Sequence, residues 1–204
     1  MAVKNVVFDL GGVLIDFNMK RMLDDNIPEV YHKPVTEATF QSDEWLMMDS
    51  GELEAEDAVE KMCQKLPVEI HPNVKNMILN RVEQMPPLSE MTKIIDSLHI
   101  NGYKLYALSN CADWFHDFFK NHLPSSEKFS GYVISADYKT LKPGEEIYKI
   151  LFNKYNLVAE ECFFIDDSPA NIETALRLGM NAHCFADRDF QKLRSKMKDS
   201  AITL

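Results

Sequence analysis

The fold is indicated most clearly by the segment Lys4-Asn5-Val6-Val7-Phe8-Asp9-Leu10-Gly11-Gly12-Val13-Leu14-Ile15-Asp16. β-Branched and aromatic residues run from Val6 to Phe8 and stop at a carboxylate and two glycines, which is typical of a short buried strand followed by a tight turn. Open α/β sheets bind their ligands at the carboxyl ends of their strands. Asp9 at such an end can attack a substrate, bind a metal or simply cap the next turn. The stretch alone leaves these three roles open.

The composition is that of an ordinary globular chain. With 204 residues, the chain has room for one large domain or for a main domain with a smaller one inserted. The net charge of −10 argues against nucleic-acid binding, which depends on basic patches. No apolar run reaches the roughly 18 residues of a membrane span, and the segment before Asp9 is too short for a signal peptide. We therefore expect a cytoplasmic protein that binds neither nucleic acid nor membranes.

The pattern after the first strand is helical over a long segment. Between residues 17 and 85 apolar residues recur at helical spacing and strand-like runs are nearly absent; one such helix carries Ala58, Val59, Met62, Cys63 and Leu66. We assign residues 16–85 to an α-helical cap domain inserted after the first strand.

From Pro86 onward, predicted strands and helices alternate. The strands are expected at 103–108, 132–134, 162–165 and 180–185, and the helices at 89–101, 113–122, 145–155, 168–179 and 189–198. Ser168 is expected to cap the helix that Pro169 begins. Such alternation predicts a parallel sheet covered by helices on both faces. The expected fold is a doubly wound, Rossmann-like α/β core of residues 1–15 and 86–204 with the helical cap above it.

Polar residues follow several of these strands. The four sites are Asp9, Ser109-Asn110, Lys142-Pro143 and Asp166-Asp167. Each alone is typical of a turn or a helix cap, but parallel strands bring their carboxyl ends to one edge of a sheet. Neighbouring carboxylates repel unless a cation is present, and Mg²⁺ prefers oxygen ligands. Ser109, Asn110 and Lys142 would bind an oxyanion. This set fits phosphoryl transfer through an aspartyl-phosphate.

In four ordered motifs the chain resembles the haloacid dehalogenase-like superfamily of hydrolases. The motifs are Phe8-Asp9-Leu10-Gly11-Gly12-Val13, Leu108-Ser109-Asn110, Lys142-Pro143 and Phe164-Ile165-Asp166-Asp167-Ser168. The resemblance covers essentially the whole chain and is weakest in the cap. It implies that Asp9 is the nucleophile and that Mg²⁺ is bound by Asp9, the Gly11 carbonyl, Asp166 and Asp167. Asp166 would be either a direct ligand or the residue that holds a metal-bound water.

The resemblance also implies how the substrate is held. The catalytic lysine would be Lys142, and the phosphoryl group would be bound by Gly12, Ser109, Asn110 and Lys142. The expected function is that of a Mg²⁺-dependent phosphatase acting on a small phosphorylated metabolite, with sugar phosphates among the candidates. A monomer and a homodimer are both compatible with the resemblance.

Motif one departs from the family pattern at Gly11, where most phosphatases of the family carry a second Asp as general acid/base. Such a group contributes about 10²–10⁴-fold to the rate. Candidates by location are Asp16, Asp43, Glu44 and Asp49, and solvated surface acids are the alternative interpretation of each. With a good leaving group, water or the substrate could serve instead.

Two other functions remain open. Metal-independent 2-haloacid dehalogenases resemble the chain in motif one but lack the acidic pair, so Asp166-Asp167 favour a phosphatase. Among the phosphatases, the chain most resembles the α-D-glucose-1-phosphate phosphatase-like branch, which also has glycine in motif one and keeps the paired acids, and whose cap contains a stretch like Asp49-Ser50-Gly51-Glu52-Leu53. A catalytically weak member that binds a phosphorylated ligand or a protein partner is the third possibility.

An aromatic cluster follows motif two at helical spacing, and its role is open between core packing and a pocket wall. Its members are Trp114, Phe115, Phe118 and Phe119. The same choice applies to Trp45 in the cap segment.

Overall fold

A five-stranded parallel sheet forms the centre of the computed structural model, which describes all 204 residues. Its strands are β1 (Asn5–Phe8), β2 (Lys104–Ser109), β3 (Phe129–Ile134), β4 (Cys162–Asp166) and β5 (Asn181–Cys184). They lie in the order β3-β2-β1-β4-β5, and every neighbouring pair is parallel. This arrangement confirms the predicted α/β, doubly wound parallel sheet.

The central strand β1 is buried on both faces. Val6 and Phe8 belong to one apolar cluster, whereas Val7, which points to the opposite face, belongs to another. The first cluster is completed by α6 (Ser89–Ile100), α7 (Phe115–Asn121) and α11 (Phe190–Asp199), and the second by α9 (Glu145–Tyr155) and α10 (Pro169–Arg177). A parallel sheet requires this two-sided cover.

Residues 16–85, which we call the helical insertion, contain helices and turns but no strand. The helices are α1 (Met19–Asn26), α2 (His32–Ala38), α3 (Asp43–Asp49), α4 (Ala55–Cys63) and α5 (His71–Leu79), with 3₁₀ turns at Glu29–Tyr31, Val68–Ile70 and Arg81–Gln84. They share an apolar cluster that includes the fully buried Met22, Met62 and Met77. No helix of the chain is both long enough and apolar enough to span a bilayer.

The entry and exit of the insertion lie side by side. Ile15 forms an antiparallel bridge with Pro87, and the Asp16 N–H donates to the Pro86 carbonyl at 2.8 Å. The Leu88 N–H donates to the Leu14 carbonyl at 2.9 Å. The insertion is therefore attached to the sheet by two adjacent segments of chain.

The structure differs from the sequence prediction in two places near the sheet edge. A short helix, α8 (Ser135–Tyr138), directly follows β3 and was not predicted, because four residues are too few to show periodicity. Ser168 occupies the N-cap position of α10, but its side chain makes no capping bond. Instead, the Ser168 N–H donates to the Asp166 carboxylate at 2.8 Å. The buried acid thus binds the backbone of the N-cap residue, and the expected cap from the serine side chain is not formed.

Candidate active site

The polar residues meet at the point in the sheet where the order of the strands reverses. The chain builds outward from β1 to β2 and β3 on one side, then continues with β4 and β5 on the other. Such a switch point opens a crevice at the carboxyl ends of the strands. Phe8 pairs with Ile165, so the residues that follow, Asp9 and Asp166, lie beside each other. The Asp9 N–H donates to the Ile165 carbonyl at 2.9 Å, which fixes this register.

Three carboxylates converge at this crevice. Oxygen atoms of Asp9, Asp166 and Asp167 lie within 4.8 Å of one another. Burial raises the pKa of Asp9 to about 7, and the charges of Asp166 and Asp167 add to the rise while Lys142 opposes it. Burial and the neighbouring Asp166 also raise the pKa of Asp167. A hard divalent cation such as Mg²⁺ fits this set of crowded oxygen ligands, because it would relieve their repulsion.

Lys142 connects two of the carboxylates. Its Nζ lies 2.8 Å from Asp9 Oδ1 and 2.6 Å from Asp166 Oδ2, and it also donates to the Leu108 carbonyl at 2.9 Å. Burial alone would lower the pKa of Lys142, but the attraction of Asp166 and Asp9 raises it. Lys142 is therefore a fixed positive charge beside Asp9.

Asn110 positions this lysine. Its Nδ2 donates to the Lys142 carbonyl at 2.9 Å, and its Oδ1 accepts the Lys142 N–H at 2.7 Å. Both polar ends of the amide are thus used on the Lys142 backbone. Asn110 and Ser109 also line the cavity described below.

The Asp166 carboxylate is saturated by protein donors. It accepts from Lys142 Nζ, from the Ser168 N–H, and from Asn171 Nδ2, which lies 2.9 and 3.0 Å from its two oxygens. The residue is 0% exposed. A carboxylate has about four lone-pair positions, and these bonds use them. Asp9 differs, because its bonds from Leu10 N and Lys142 Nζ both reach Oδ1, and no protein donor reaches Oδ2.

The two glycines of motif one serve different purposes. Gly12 has φ +72°, and a Cβ added there would lie 2.4 Å from Asp167 Oδ2, so glycine permits the approach of that acid. The Gly12 N–H donates to the Ile15 carbonyl at 2.9 Å. The Gly12 amide is thus engaged in the turn, and the expected part of Gly12 in binding the phosphoryl group stays a prediction. Gly11 lines the cavity, and a Cβ there would meet only Phe17, at 3.6 Å or more.

A cavity of about 670 Å³ lies between these residues and the helical insertion. From the insertion it is lined by Phe17, Phe40 and Trp45, whose ring centroids lie 4.9–6.3 Å apart. We call these three residues the aromatic wall. In the second aromatic cluster, Trp114 lines the cavity, whereas Phe115, Phe118 and Phe119 are buried in the core. Both interpretations of that cluster hold, each for different members.

Arg81, which was not predicted from the sequence, is a cation at the same cavity. Arg81 is 5% exposed, and its guanidinium lies 5.0 Å from the ring centroid of Trp114. It also donates to the Ile78 carbonyl at 2.5 Å. A single arginine within a helical pattern is usually solvated, so the sequence offered no signal to single it out.

The four acids that could replace the missing general acid/base of motif one have different surroundings. Asp16 accepts hydrogen bonds from Arg21 and Arg188; burial would raise its pKa, but these two partners lower it. The pKa of Glu44 is lowered by its bond from Lys65, and Asp43 is exposed. Asp49 alone of the four lines the cavity. Burial raises the pKa of Asp49 to about 7.

Comparisons with known proteins agree with this geometry. Residues 6–185 match the family model of the haloacid dehalogenase-like hydrolases. A sesquiterpene phosphatase of Aspergillus oryzae is 25% identical over 87% of either chain, and a phosphorylated carbohydrates phosphatase of Thermotoga maritima is 25% identical over 86% of this chain and 81% of the relative. A flavin mononucleotide hydrolase of Arabidopsis thaliana is 26% identical, over 57% of this chain but only 46% of its own length.

Solved structures show the same fold. A haloacid dehalogenase family enzyme of Bacteroides thetaiotaomicron, in complex with magnesium and inorganic phosphate, superposes with a TM-score of 0.72 at 23% identity, covering 94% of this chain and 99% of the other. A HAD-like family hydrolase of Porphyromonas gingivalis gives 0.68 at 26% identity, covering 95% and 99%. The family match over most of the chain, together with its four motifs at one sheet edge, means that this protein belongs to the haloacid dehalogenase-like hydrolases.

Proposed function

We propose that the protein is a Mg²⁺-dependent phosphatase that hydrolyses monoesters of a small phosphorylated metabolite through an aspartyl-phosphate. The observation that carries this proposal is the cluster of three carboxylates within 4.8 Å, two of them joined by Lys142. A metal-independent dehalogenase needs the nucleophile and the lysine, but it has no use for the partly exposed third acid, Asp167.

The residues present would hold Mg²⁺ through Asp9, Asp167 and the Gly11 carbonyl. Asp166 would not contact the ion directly, because its oxygens accept hydrogen bonds from Lys142, Ser168 and Asn171. When bound, the ion would offset the negative charge on the phosphoryl oxygens.

The protein residues divide the remaining work. Asp9 attacks phosphorus with a carboxylate oxygen. Lys142 and Ser109 stabilise charge on the transferring group, and Asn110 holds Lys142 in place through two backbone hydrogen bonds. Water then hydrolyses the aspartyl-phosphate and regenerates the Asp9 carboxylate.

The helical insertion acts as a cap that recognises the alcohol part of the substrate. The cavity lies between the insertion and the sheet edge, and the aromatic wall and Arg81 both belong to the insertion. The relatives named above act on a flavin nucleotide, a sesquiterpene and carbohydrates, which share a phosphate but differ in the rest of the molecule. Sugar phosphates and flavin mononucleotide are therefore both candidate substrates.

The test measures phosphate release from p-nitrophenyl phosphate, sugar phosphates and flavin mononucleotide, with Mg²⁺ and with a chelator. We expect release that needs Mg²⁺ and that disappears in Asp9→Asn, while the circular dichroism of that variant matches the wild type. Release that persists in the variant would contradict the proposed nucleophile. Chloride release from 2-haloacids without phosphate release would favour the dehalogenase. If neither activity occurs and Asp9→Asn still binds a phosphorylated ligand, the protein is a binding member.

A further inference from the structure

The helical insertion brings one carboxylate into the reaction cavity. Asp49 is the last residue of α3 and lines the cavity together with Asp9, Ser109 and Lys142. On the core side, Gly11 offers no acid at the position where motif one commonly carries one. An acid in the last turn of a helix opposes the helix dipole, so its place there does nothing to stabilise α3.

We propose that Asp49 is the general acid and base of this site, supplied by the insertion in place of an acid at position 11. The proposal rests on the phosphatase function proposed above. It concerns the residue that moves the proton, whereas Asp9 remains the nucleophile.

The end of α3 is fastened to the catalytic edge of the core. Ser135 Oγ donates to the Asp49 carbonyl and accepts the Cys111 N–H at 2.8 Å, directly after Ser109-Asn110. Gly51 follows with φ +71°, and a Cβ there would lie 2.6 Å from the Ala136 carbonyl oxygen. One serine and one close backbone approach thus hold Asp49 against the core, as a proton donor with a fixed position requires.

The surroundings of Asp49 suit transfer in both directions. Burial raises its pKa to about 7; the Arg81 charge and a hydrogen bond from Trp45 oppose the rise, and the Asp9 charge adds to it. Burial, with the charge of Asp49 added, raises the pKa of the Cys111 thiol well above its ordinary value, so Cys111, which also lines the cavity, stays neutral near pH 7. A group whose pKa lies near the working pH can both give and accept a proton efficiently.

In the first step a carboxylate oxygen of Asp9 forms a bond to phosphorus while the bond from phosphorus to the ester oxygen breaks. The ester oxygen keeps the electron pair and takes the proton of Asp49, so an alcohol leaves. In the second step the Asp49 carboxylate takes a proton from water as the water oxygen bonds to phosphorus. The bond between phosphorus and Asp9 breaks, and its electron pair returns to the Asp9 carboxylate. Phosphate then leaves, and Asp49 is protonated again.

The test compares leaving groups in Asp49→Asn. For an alkyl phosphate, whose alkoxide leaves poorly, we expect kcat/KM to fall by about 10²–10⁴-fold. For p-nitrophenyl phosphate, whose phenolate needs little protonation, we expect a loss of less than about tenfold. In the wild type, kcat/KM for the alkyl ester should fall as the pH rises above about 7, because Asp49 loses its proton, and this limb should be absent in the variant.

Asp43→Asn is the matched control, since Asp43 belongs to the same helix but is exposed and lies outside the cavity. It should keep wild-type rates on both esters. Equal losses on the two esters in Asp49→Asn, or no loss on either, would overturn the role of Asp49. Such a result for Asp49→Asn, in a protein whose wild type hydrolyses esters and whose Asp9→Asn variant does not, would reject the role of Asp49 and leave the proposed function intact. If the wild type releases no phosphate from any ester, the proposed function fails first.

Discussion

At the scale of single residues, Lys142 controls the charge balance of the site. It is 4% exposed and is the cation in contact with the two buried carboxylates Asp9 and Asp166. Removing one partner of a buried ion pair is costly, because the remaining charge loses its compensation in a poorly solvated place. Its Nζ therefore supports the fold as well as the proposed reaction.

Lys142→Met is expected to lower the free energy of unfolding by about 3–5 kcal/mol at pH 8. The loss should shrink as the pH falls toward 5. The pKa of Asp9 is already raised to about 7 with Lys142 present, and it rises further without it, so proton uptake relieves the variant as the pH falls. Urea unfolding at both pH values measures this.

Lys149→Met is the control for that measurement, because Lys149 forms an exposed pair with Glu145. Its effect should stay below about 1 kcal/mol. A similar small effect for Lys142→Met would show that the buried cluster does not depend on the lysine.

Gly11 provides a second test at this scale, because the fold does not require glycine there. An added Cβ would make only ordinary contact with Phe17, and φ is not positive. In an Asp49→Asn background, Gly11→Asp should raise kcat/KM for alkyl phosphates by about tenfold or more, since it restores an acid near the leaving oxygen. Gly11→Ala in the same background should not. Equal rates in both double variants would show that position 11 cannot deliver the proton.

At the scale of elements, the contact between α3 and α8 decides where the insertion meets the core. It depends on Gly51, which occupies the left-handed region and approaches the Ala136 carbonyl. This contact was not predictable from the sequence. Helix α8 is too short to show periodicity, and Ser135 resembles any serine that follows a strand. The strands fared better: the apolar runs ending at Asp9 and Asp166 located β1 and β4 to within a residue.

Gly51→Ala is expected to lower the free energy of unfolding by more than about 1 kcal/mol, because alanine is strained at positive φ and its methyl group overlaps the Ala136 oxygen. It should also reduce hydrolysis of alkyl phosphates more than that of p-nitrophenyl phosphate, since Asp49 is two residues away. Gly102→Ala is the matched control: φ there is +83°, but nothing lies within 4 Å of the added Cβ. Loss of stability without a change in ester preference would separate the contact from the proton transfer.

At the scale of the whole molecule, the residues at the sheet edge could be predicted from the sequence, but those that the helical insertion contributes to the cavity could not. The carboxyl ends of parallel strands must share an edge, so four motifs sufficed to bring Asp9, Lys142 and Asp166 together. Which acid of the insertion faces them depends on helix packing, which periodicity does not specify. Asp43 and Asp49 look alike in the sequence, yet one is exposed and the other lines the cavity.

The net charge of −10 gives a prediction for the entire chain. A negative protein attracts Mg²⁺ over distances comparable to the screening length, which is about 30 Å at 0.01 M salt and about 8 Å at 0.15 M. We expect the Kd for Mg²⁺ to rise several-fold between these salt concentrations, as measured by calorimetry with inert monovalent salt. Asp167→Asn should weaken binding at both concentrations. A Kd independent of salt would mean that only the nearest carboxylates attract the ion.

The adjacent entry and exit of the helical insertion have an evolutionary consequence. Because Ile15 bridges Pro87, the helices between them could be exchanged for other helices without moving the strands of the sheet. Such an exchange would leave Asp9 and Lys142 in place, yet would remove the aromatic wall, Arg81 and Asp49 at one stroke. The residues proposed to recognise the alcohol and the residue proposed to protonate the leaving oxygen would then be inherited together. Under that proposal, a different insertion would need an acid of its own. Without one, the enzyme would hydrolyse only esters whose leaving group departs without protonation.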